Sequence, residues 1–163
     1  MIISEHIRIE STTEKDIPVI FSFIKNLAEY EKLVHEVVAT EDILRETLFG
    51  ERRFAEVVIA YYDHIAAGYA LFFHNFSTFV GRPGLYLEDL FVQREFRGKG
   101  IGTALLQHLA RLAVERQCGR MEWAVLNWNA PAISFYKQLG ARPMNEWTVY
   151  RLTGDALKHL AKA

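Results

Sequence analysis

The sequence predicts an α/β or α+β fold, formed as a single domain over residues 1–163. Strand-like runs of β-branched and aromatic residues alternate with helix-like runs along the chain. Half of the residues are apolar, which is enough to form a sizeable core in a chain of 163 residues. No linker, internal repeat or low-complexity tract interrupts the pattern, so we expect one domain.

The first half of the chain contains clear helix and turn signals. Asp16 followed by Pro18 is typical of a helix start, and Thr40 and Gly50 are suited to open and close a shorter helix. Asp63-His64 separates two runs rich in β-branched and aromatic residues, as in a hairpin. The predicted elements are a strand over residues 6–10, a helix from Asp16 to about Glu31, a helix between Thr40 and Gly50, and strands over residues 55–62 and 65–74.

The second half continues with strands and helices. Gly81-Arg82-Pro83-Gly84 predicts a turn. Apolar residues recur on one face of residues 101–117, which predicts a helix that packs on the sheet. Another helix is indicated by Asn129 as its cap, Pro131 at its second position and Gly140 just beyond its end. The predicted elements are strands over residues 85–92, 121–126 and 147–152, and helices over residues 101–117, between Asn129 and Gly140, and over residues 154–161.

A basic, glycine-rich loop joins the predicted strand at 85–92 to the predicted helix at 101–117. It reads Arg97-Gly98-Lys99-Gly100-Ile101-Gly102. Three glycines allow consecutive backbone N–H groups to turn toward one anion, and the helix N-terminus adds a partial positive charge. Arg97 and Lys99 add full charges. The loop therefore predicts a phosphate-binding site, and the alternative is an ordinary basic surface turn.

Spacing argues against two other nucleotide-binding motifs. A Walker loop requires Gly-Lys-Ser/Thr after four residues that follow a glycine, and the chain lacks this pattern. A dinucleotide fingerprint that begins at Gly100 requires a third glycine at position 105, where the chain has Leu105. What remains is Arg-x-x-Gly-x-Gly, which opens a predicted helix directly after a predicted strand.

This motif resembles the pyrophosphate-binding signature of the GCN5-related N-acetyltransferases, the GNAT family. Three further segments are similar to the diamine and thialysine acetyltransferase branch of that family: Leu27–Lys32, Tyr86–Val92 and Trp128–Lys137. The resemblance extends over roughly residues 5–153. It implies the GNAT fold, which is a mixed and mostly antiparallel sheet with helices on both faces, and acetyl-CoA as the co-substrate.

The resemblance also implies which residues bind the donor and carry out the transfer. Backbone groups of the strand before the loop would hold the pantetheine arm, and one N–H would polarise the thioester carbonyl. Tyr136 would protonate the departing CoA sulfur. Taken alone, Tyr136 and Asn129 also fit a core aromatic residue and a helix cap. The implied donor-binding residues are Leu90, Phe91, Val92, Arg97, Gly98, Lys99, Gly100, Ile101, Gly102, Thr103, Asn129, Pro131 and Ala132.

An amine acceptor must lose a proton before it attacks. An alkyl amine of pKa ~10.4 is only about one part in a thousand neutral at pH 7. Glu88 lies in the predicted strand that leads into the loop, so we expect it to assist this deprotonation, directly or through water. The alternative is a surface carboxylate paired with a basic neighbour.

The resemblance places Tyr30 and Glu31 at the cationic end of the acceptor, together with Glu88 and Asp89. The alternative for Glu31 is a solvated helix charge. The segment Lys32-Leu33-Val34-His35 is less acidic than we expect of a pocket for a multiply charged polyamine. We therefore predict a small-molecule acceptor, either a thialysine-like or lysine-like amine or a diamine. The alternatives are acetylation of a protein lysine or N-terminal amine, and a non-catalytic acyl-CoA-binding module.

Composition narrows the partners and the compartment. The formal net charge is −1 and no block of like charges is present, so we expect neither nucleic acid nor a membrane surface as a partner. Residues 1–5 turn polar too soon for a signal peptide, and Cys118 is the only cysteine, which together favour a cytoplasmic protein. Six dispersed histidines without an i,i+4 pair predict no metal site. The resemblance implies a homodimer, to which residues 147–152 would contribute.

Overall fold

A computed structural model describes residues 4–163 of the chain. Residues 1–3, which begin the segment considered above as a signal peptide, lie outside the described residues. The chain divides into two compact units, the first ending at Ala124 and the second formed by Val125–Ala163. The predicted single domain remains a prediction.

From residue 4 onward, the first unit contains a five-stranded sheet and three α-helices. The strands lie in the order β1-β2-β3-β4-β5, antiparallel throughout except for the parallel pair β4 and β5. This confirms the predicted mixed, mostly antiparallel sheet. Its elements are β1 (Ile7–Ser11), α1 (Ile17–Tyr30), α2 (Glu41–Phe49), β2 (Glu56–Tyr62), β3 (Ile65–Ser77), β4 (Arg82–Val92), α3 (Ile101–Glu115) and β5 (Met121–Trp123), with short 3-10 turns at Glu14–Asp16, Val34–Glu36 and Arg94–Phe96.

Local signals position most of these elements as predicted. Pro18 lies in the first turn of α1, and the Thr40 hydroxyl accepts a hydrogen bond from the Ile43 N–H at the start of α2. Asp63 and His64 form a two-residue connection between β2 and β3, and both have positive φ. Two positive φ values are typical of the turn whose twist matches that of a hairpin.

The turn between β3 and β4 differs from the prediction. It comprises residues 78–81, because β3 and β4 remain paired as far as Ser77 and Arg82. The Ser77 carbonyl accepts a hydrogen bond from the Gly81 N–H at 2.8 Å and closes the turn. The predicted turn at Gly81–Gly84 is therefore wrong beyond Gly81, since Pro83 and Gly84 pair with β3.

The sheet is covered by helices on both faces. On one face, α1 and α2 pack against Tyr69, Phe91, Val57 and Ile59. On the other face, α3 contacts β3 and β4 and buries Ile101, Leu105 and Leu109. Alternation along the strands therefore divides the core into two layers, as in other sheets with two buried faces.

Two predicted strands are shorter or absent in the structure. The predicted strand at 121–126 forms only over Met121–Trp123, where it pairs with Leu85–Leu87. In the second unit, the predicted strand at 147–152 does not form, and the described residues there have no strand partner. Trp147, Val149 and Tyr150 are exposed. The second unit contains α4 (Ala130–Gln138) and α5 (Gly154–Ala161), both close to their predicted bounds.

Candidate active site

The glycine-rich loop has the backbone geometry that an anion site requires. Gly98 and Gly100 have φ of +76° and +83°, which is the left-handed region that glycine adopts readily. Gly100 caps α3, and Ile101, Gly102 and Thr103 form its first turn. The N–H groups of a first turn have no partner within the helix. A β-carbon built on Gly98 or Gly100 would meet no atom within 4 Å, so the loop has space beside its backbone.

The two basic side chains of the loop contact aromatic rings. The Arg97 guanidinium lies 4.8 Å from the centre of the Tyr30 ring and 5.7 Å from that of Phe91, and its Nε donates to the Val92 carbonyl at 3.1 Å. The Lys99 ammonium lies 5.1 Å from the centre of the Tyr62 ring. Arg97 therefore joins the loop to the end of β4 and to the end of α1, while Lys99 extends toward β2.

One edge of β4 lacks a strand partner before the loop. The ladder with β5 ends where Leu87 faces Trp123. On the opposite edge, Leu90, Phe91 and Val92 remain paired with β3. Beyond Leu87, no strand in the described part of the chain pairs with β4 on the β5 side. Backbone donors and acceptors on that side are thus positioned to bind an extended ligand, as in strand addition.

Glu88 occupies a β-bulge. Leu71 of β3 faces Asp89 and the next residue, Phe72, faces Leu87, so Glu88 is an extra residue on β4. Bulges bend a strand and redirect a side chain, and they are frequent beside active sites. Glu88 is exposed, whereas Leu87 and Asp89 are less so. The bulge therefore presents the Glu88 carboxylate to solvent at the point where the β4–β5 ladder ends.

Asp89 is half-buried and is held by a tyrosine of the neighbouring strand. The Tyr69 hydroxyl donates a hydrogen bond to Asp89 Oδ2 at 2.6 Å. Burial raises the pKa of Asp89, and the hydrogen bond from Tyr69 offsets part of that rise. Tyr69 itself is fully buried, and its ring stacks on Phe23 of α1 with the ring centres 5.3 Å apart.

Glu31 lies close enough to Asp89 for the two carboxylates to interact. Burial raises the pKa of Glu31, and the negative charge of Asp89 raises it further. Burial also raises the pKa of the Tyr69 phenol, with further contributions from Asp89, Glu31 and Glu88. The structure thus brings together Glu31, Asp89 and Tyr69 around β4, while Tyr30, the last residue of α1, contacts Arg97.

Sequence reasoning missed Tyr69. A tyrosine within an apolar strand is most simply a core residue, and its partner lies 20 residues further along the chain. The signal that could have found it was the pairing of two neighbouring strands, since a hairpin built from residues 65–77 and 82–92 places Tyr69 opposite Phe91, and Asp89 lies two residues along β4 from Phe91.

The second unit contains the remaining predicted residues. Asn129 caps α4, its side-chain oxygen accepts from the Ala132 N–H at 3.4 Å, and the residue is 8% exposed. Pro131 is in the first turn of α4. Tyr136 is half-buried, with its ring centre 5.6 Å from that of Phe135. Asn129 is therefore a helix cap as predicted, and its contact with the donor remains a prediction.

Two searches of the described residues give negative results. Over residues 4–163, no three or more His, Cys, Asp or Glu side chains are grouped so that they could hold a metal ion. In the same part of the chain, no helix is long and apolar enough to cross a membrane.

Comparison with known proteins identifies the family. Residues 23–141 match the acetyltransferase (GNAT) family. The chain is 38% identical to thialysine N-epsilon-acetyltransferase of Mus musculus, over 94% of this chain and 96% of the mouse protein. It is 34% identical to L-ornithine N5-acetyltransferase of Arabidopsis thaliana, over 95% of this chain and 88% of the plant protein.

A solved structure shares the fold of this chain. An integron cassette protein from the mobile metagenome of V. cholerae superposes with a TM-score of 0.82 and 30% identity, and covers 98% of this chain and 100% of its own. The family match and the relatives identify the chain as an acetyltransferase, and GNAT acetyltransferases use acetyl-CoA as co-substrate. The chain belongs to the GNAT family.

Proposed function

We propose that this enzyme transfers the acetyl group of acetyl-CoA to a primary amine of a small molecule, by direct attack of the amine on the thioester. The observation that carries the proposal is the position of the unpaired β4 edge. It extends from the bulge at Glu88, beside the carboxylates of Asp89 and Glu31, to the glycine-rich loop that precedes α3. One strand thus joins an anionic region suited to an amine with a loop suited to a phosphate.

The donor is held mainly by backbone groups in this proposal. The pyrophosphate binds the N–H groups of Gly98, Lys99 and Gly100 and of the first turn of α3, Ile101 to Thr103. The pantetheine arm pairs with the unpaired edge of Leu90, Phe91 and Val92. Acetyl-CoA supplies the activated thioester, and a β4 N–H stabilises the negative charge that develops on its carbonyl oxygen. Arg97 strengthens the positive field of the loop, and Asn129, Pro131 and Ala132 complete the donor-binding residues.

Glu88 removes the proton that the amine must lose, directly or through water. Keeping the amine protonated at pH 7 adds about 4–5 kcal/mol to the apparent barrier. The exposure of Glu88 at the bulge supports this role, because a proton that Glu88 receives can pass readily to solvent.

Tyr136 protonates the departing thiolate of CoA. A phenol is a suitable acid for a thiolate, since the two groups have similar ordinary pKa values of ~10 and ~8.5. In this mechanism the neutral amine forms the new C–N bond, the C–S bond breaks, and the sulfur receives the proton from Tyr136. The nitrogen then releases its extra proton to solvent, and solvent returns a proton to the Tyr136 phenolate.

The acceptor is a thialysine-like or lysine-like amine or a diamine. Each of the two relatives named above is named after its acceptor, which is thialysine for one and ornithine for the other. Both of these acceptors have two amino groups. Two half-buried carboxylates, Glu31 and Asp89, match the positive charge of such a molecule, and Tyr30 borders the same region.

We further propose a cytoplasmic homodimer. Trp147, Val149 and Tyr150 are each more than three-quarters exposed, at 77%, 86% and 93%. An exposed row of large apolar residues is typical of a surface that a partner covers. A second copy of the chain is the partner that the resemblance implies.

The function is tested by mixing the protein with acetyl-CoA and a panel of thialysine, lysine, ornithine, 1,4-diaminobutane, spermidine and amine-bearing peptides, and measuring free CoA thiol. Release that depends on a small amine supports the proposal. Release with peptides alone would indicate a protein acetyltransferase. Acetyl-CoA binding by calorimetry without transfer to any amine would indicate a binding module.

A further inference from the structure

We propose that Tyr69 is a positioning residue for Asp89, and that this pair selects acceptors carrying a second, non-reacting ammonium group. The inference rests on the proposed function, because it assigns a role within the same acceptor site. Its basis is the 2.6 Å hydrogen bond from the buried Tyr69 hydroxyl to Asp89 Oδ2.

The environment of Tyr69 makes it a rigid support. Its side chain has no solvent exposure, and its ring stacks on Phe23 with an interplanar angle of 6°. A fully buried ring that stacks on a neighbour holds its hydroxyl in one place. The hydrogen bond therefore sets the rotamer of Asp89 and leaves Oδ1 as the carboxylate oxygen that Tyr69 does not use.

The charges around Asp89 favour a permanent cation. Three acidic groups from three elements lie in this region, namely Glu31 after α1, Glu88 of β4 and the Tyr69 phenol of β3. Arg97, which belongs to the loop, contacts Tyr30, Phe91 and the Val92 carbonyl. Asp89 and Glu31 therefore repel each other, and an ammonium between them would relieve that repulsion.

The reacting amine is poorly suited to this position. It must become neutral in order to attack, so it would lose its attraction to the carboxylates in the reactive form. An ammonium that does not react keeps its charge throughout the transfer. Asp89 consequently anchors the second ammonium of a diamine or of a lysine-like acceptor, while Glu88 serves the amine that reacts.

The test compares 1,4-diaminobutane with butylamine, which has the same carbon chain and one amine, in the parent and in Tyr69→Phe. Phenylalanine keeps the ring and its stacking on Phe23 and removes only the hydroxyl. We expect KM for 1,4-diaminobutane to rise about tenfold or more, because Asp89 is no longer held in the position that binds the ammonium, while kcat/KM for butylamine is unchanged. Tyr61→Phe, which removes a half-buried hydroxyl from β2, is the matched control and should change neither.

A pH profile provides a readout that simple destabilisation would not move. The Tyr69 hydrogen bond lowers the pKa of Asp89, so its loss raises that pKa further. The acidic limb of kcat/KM for 1,4-diaminobutane should therefore move to higher pH in Tyr69→Phe. Asp89→Asn keeps a side-chain oxygen that can accept the hydrogen bond from Tyr69, but it removes the negative charge. This variant should therefore raise KM for 1,4-diaminobutane and remove the acidic limb of the kcat/KM profile that is due to Asp89.

The outcomes separate the two proposals. If the parent acetylates no small amine, the proposed function fails. If the parent acetylates 1,4-diaminobutane but Tyr69→Phe leaves its KM unchanged, or impairs butylamine equally, the role of Tyr69 is overturned. An unshifted acidic limb in Tyr69→Phe would also overturn it.

Discussion

Adjacent carboxylates on β4 have different environments because one of them lies in a bulge. Glu88 is the extra residue of the bulge and is exposed, while Asp89 is half-buried and bound by Tyr69. Neighbouring side chains of a regular strand already point to opposite faces. The bulge in addition bends the strand at Glu88 and redirects its side chain. Two identical functional groups in sequence thus become suited to different tasks, one to exchange protons with solvent and one to hold a cation.

The buried charge of Asp89 lowers stability at neutral pH. Its pKa is raised in the folded state, so the folded protein disfavours the ionised form relative to the unfolded chain. We predict that Asp89→Asn raises the free energy of unfolding at pH 7 by about 1 kcal/mol, which is ~2–4 °C in Tm for a chain of this size. Thermal unfolding measures this directly, and the same variant should have a raised KM for 1,4-diaminobutane.

The sign of the pH dependence follows from the same shift. A raised carboxyl pKa contributes stability below the unfolded value, and that contribution is lost as pH rises through the folded value. The advantage of Asp89→Asn should therefore shrink as pH falls toward 3.8, the ordinary value for aspartate. A variant less stable than the parent at pH 7 would show that the charge of Asp89 is well compensated.

Tyr136→Phe tests the assigned acid in the second unit. We predict that kcat falls roughly 100-fold or more, the usual contribution of a positioned acid or base, with little change in the Kd for acetyl-CoA. Stopped-flow kinetics and calorimetry measure the two quantities. Tyr150→Phe is a matched control, because Tyr150 is 93% exposed in the same unit. Equal turnover in Tyr136→Phe and the parent would remove Tyr136 from the mechanism.

At the scale of the element, the loop before α3 offers a controlled test of donor binding. We predict that Gly100→Leu weakens acetyl-CoA binding at least tenfold, because a side chain would enter the space beside the backbone that the pyrophosphate needs. Gly81→Leu is the control, since Gly81 also has positive φ, at +71°, and open space around its α-carbon. Calorimetry with acetyl-CoA measures the affinity, and thermal unfolding measures the strain shared by both variants.

The two variants should lose similar stability, because leucine adopts positive φ only with strain. Only Gly100→Leu should lose affinity. Similar acetyl-CoA affinity in Gly100→Leu, Gly81→Leu and the parent would contradict the assignment of the loop to the pyrophosphate.

Most helices and strands were predictable because their start and end signals depend only on residues close by in the sequence. Caps, prolines and two-residue turns fix α1, α2 and the β2–β3 hairpin within a residue or two. The predicted position of the turn before β4 is wrong because Pro83 lies at the end of a strand. Proline has no backbone N–H, but a strand end tolerates it where the partner strand requires no hydrogen bond from that position. The predicted strand at 147–152 has suitable residues, but a strand requires a partner as well as propensity.

The candidate site was predicted in part for the same reason. The glycine-rich loop is contiguous in sequence, so its position before α3 was predictable. The bulge at Glu88 and the bond between Tyr69 and Asp89 depend on the register of two strands, which composition does not encode. Register is decided by packing on both faces of the sheet.

At the scale of the whole molecule, the exposed residues near the C-terminus permit a test of assembly. We predict that Trp147→Lys combined with Tyr150→Lys shifts a dimer toward monomer, because a charge on each apolar position opposes burial. Sedimentation velocity over a range of concentrations measures the shift. Leu160→Lys, on the 63% exposed Leu160 of α5, controls for the added charge. A monomeric parent would contradict the homodimer.

The interrupted ladder between β4 and β5 has a consequence for solubility. A row of backbone groups without a strand partner is a template on which another extended chain can add, and natural proteins blunt such edges with bulges and charges. The bulge at Glu88 and the carboxylate of Asp89 stand at the start of this edge. The residues proposed to bind the acceptor amine therefore also discourage edge-to-edge aggregation, and we expect neutral replacements there to promote aggregation as well as to weaken acceptor binding.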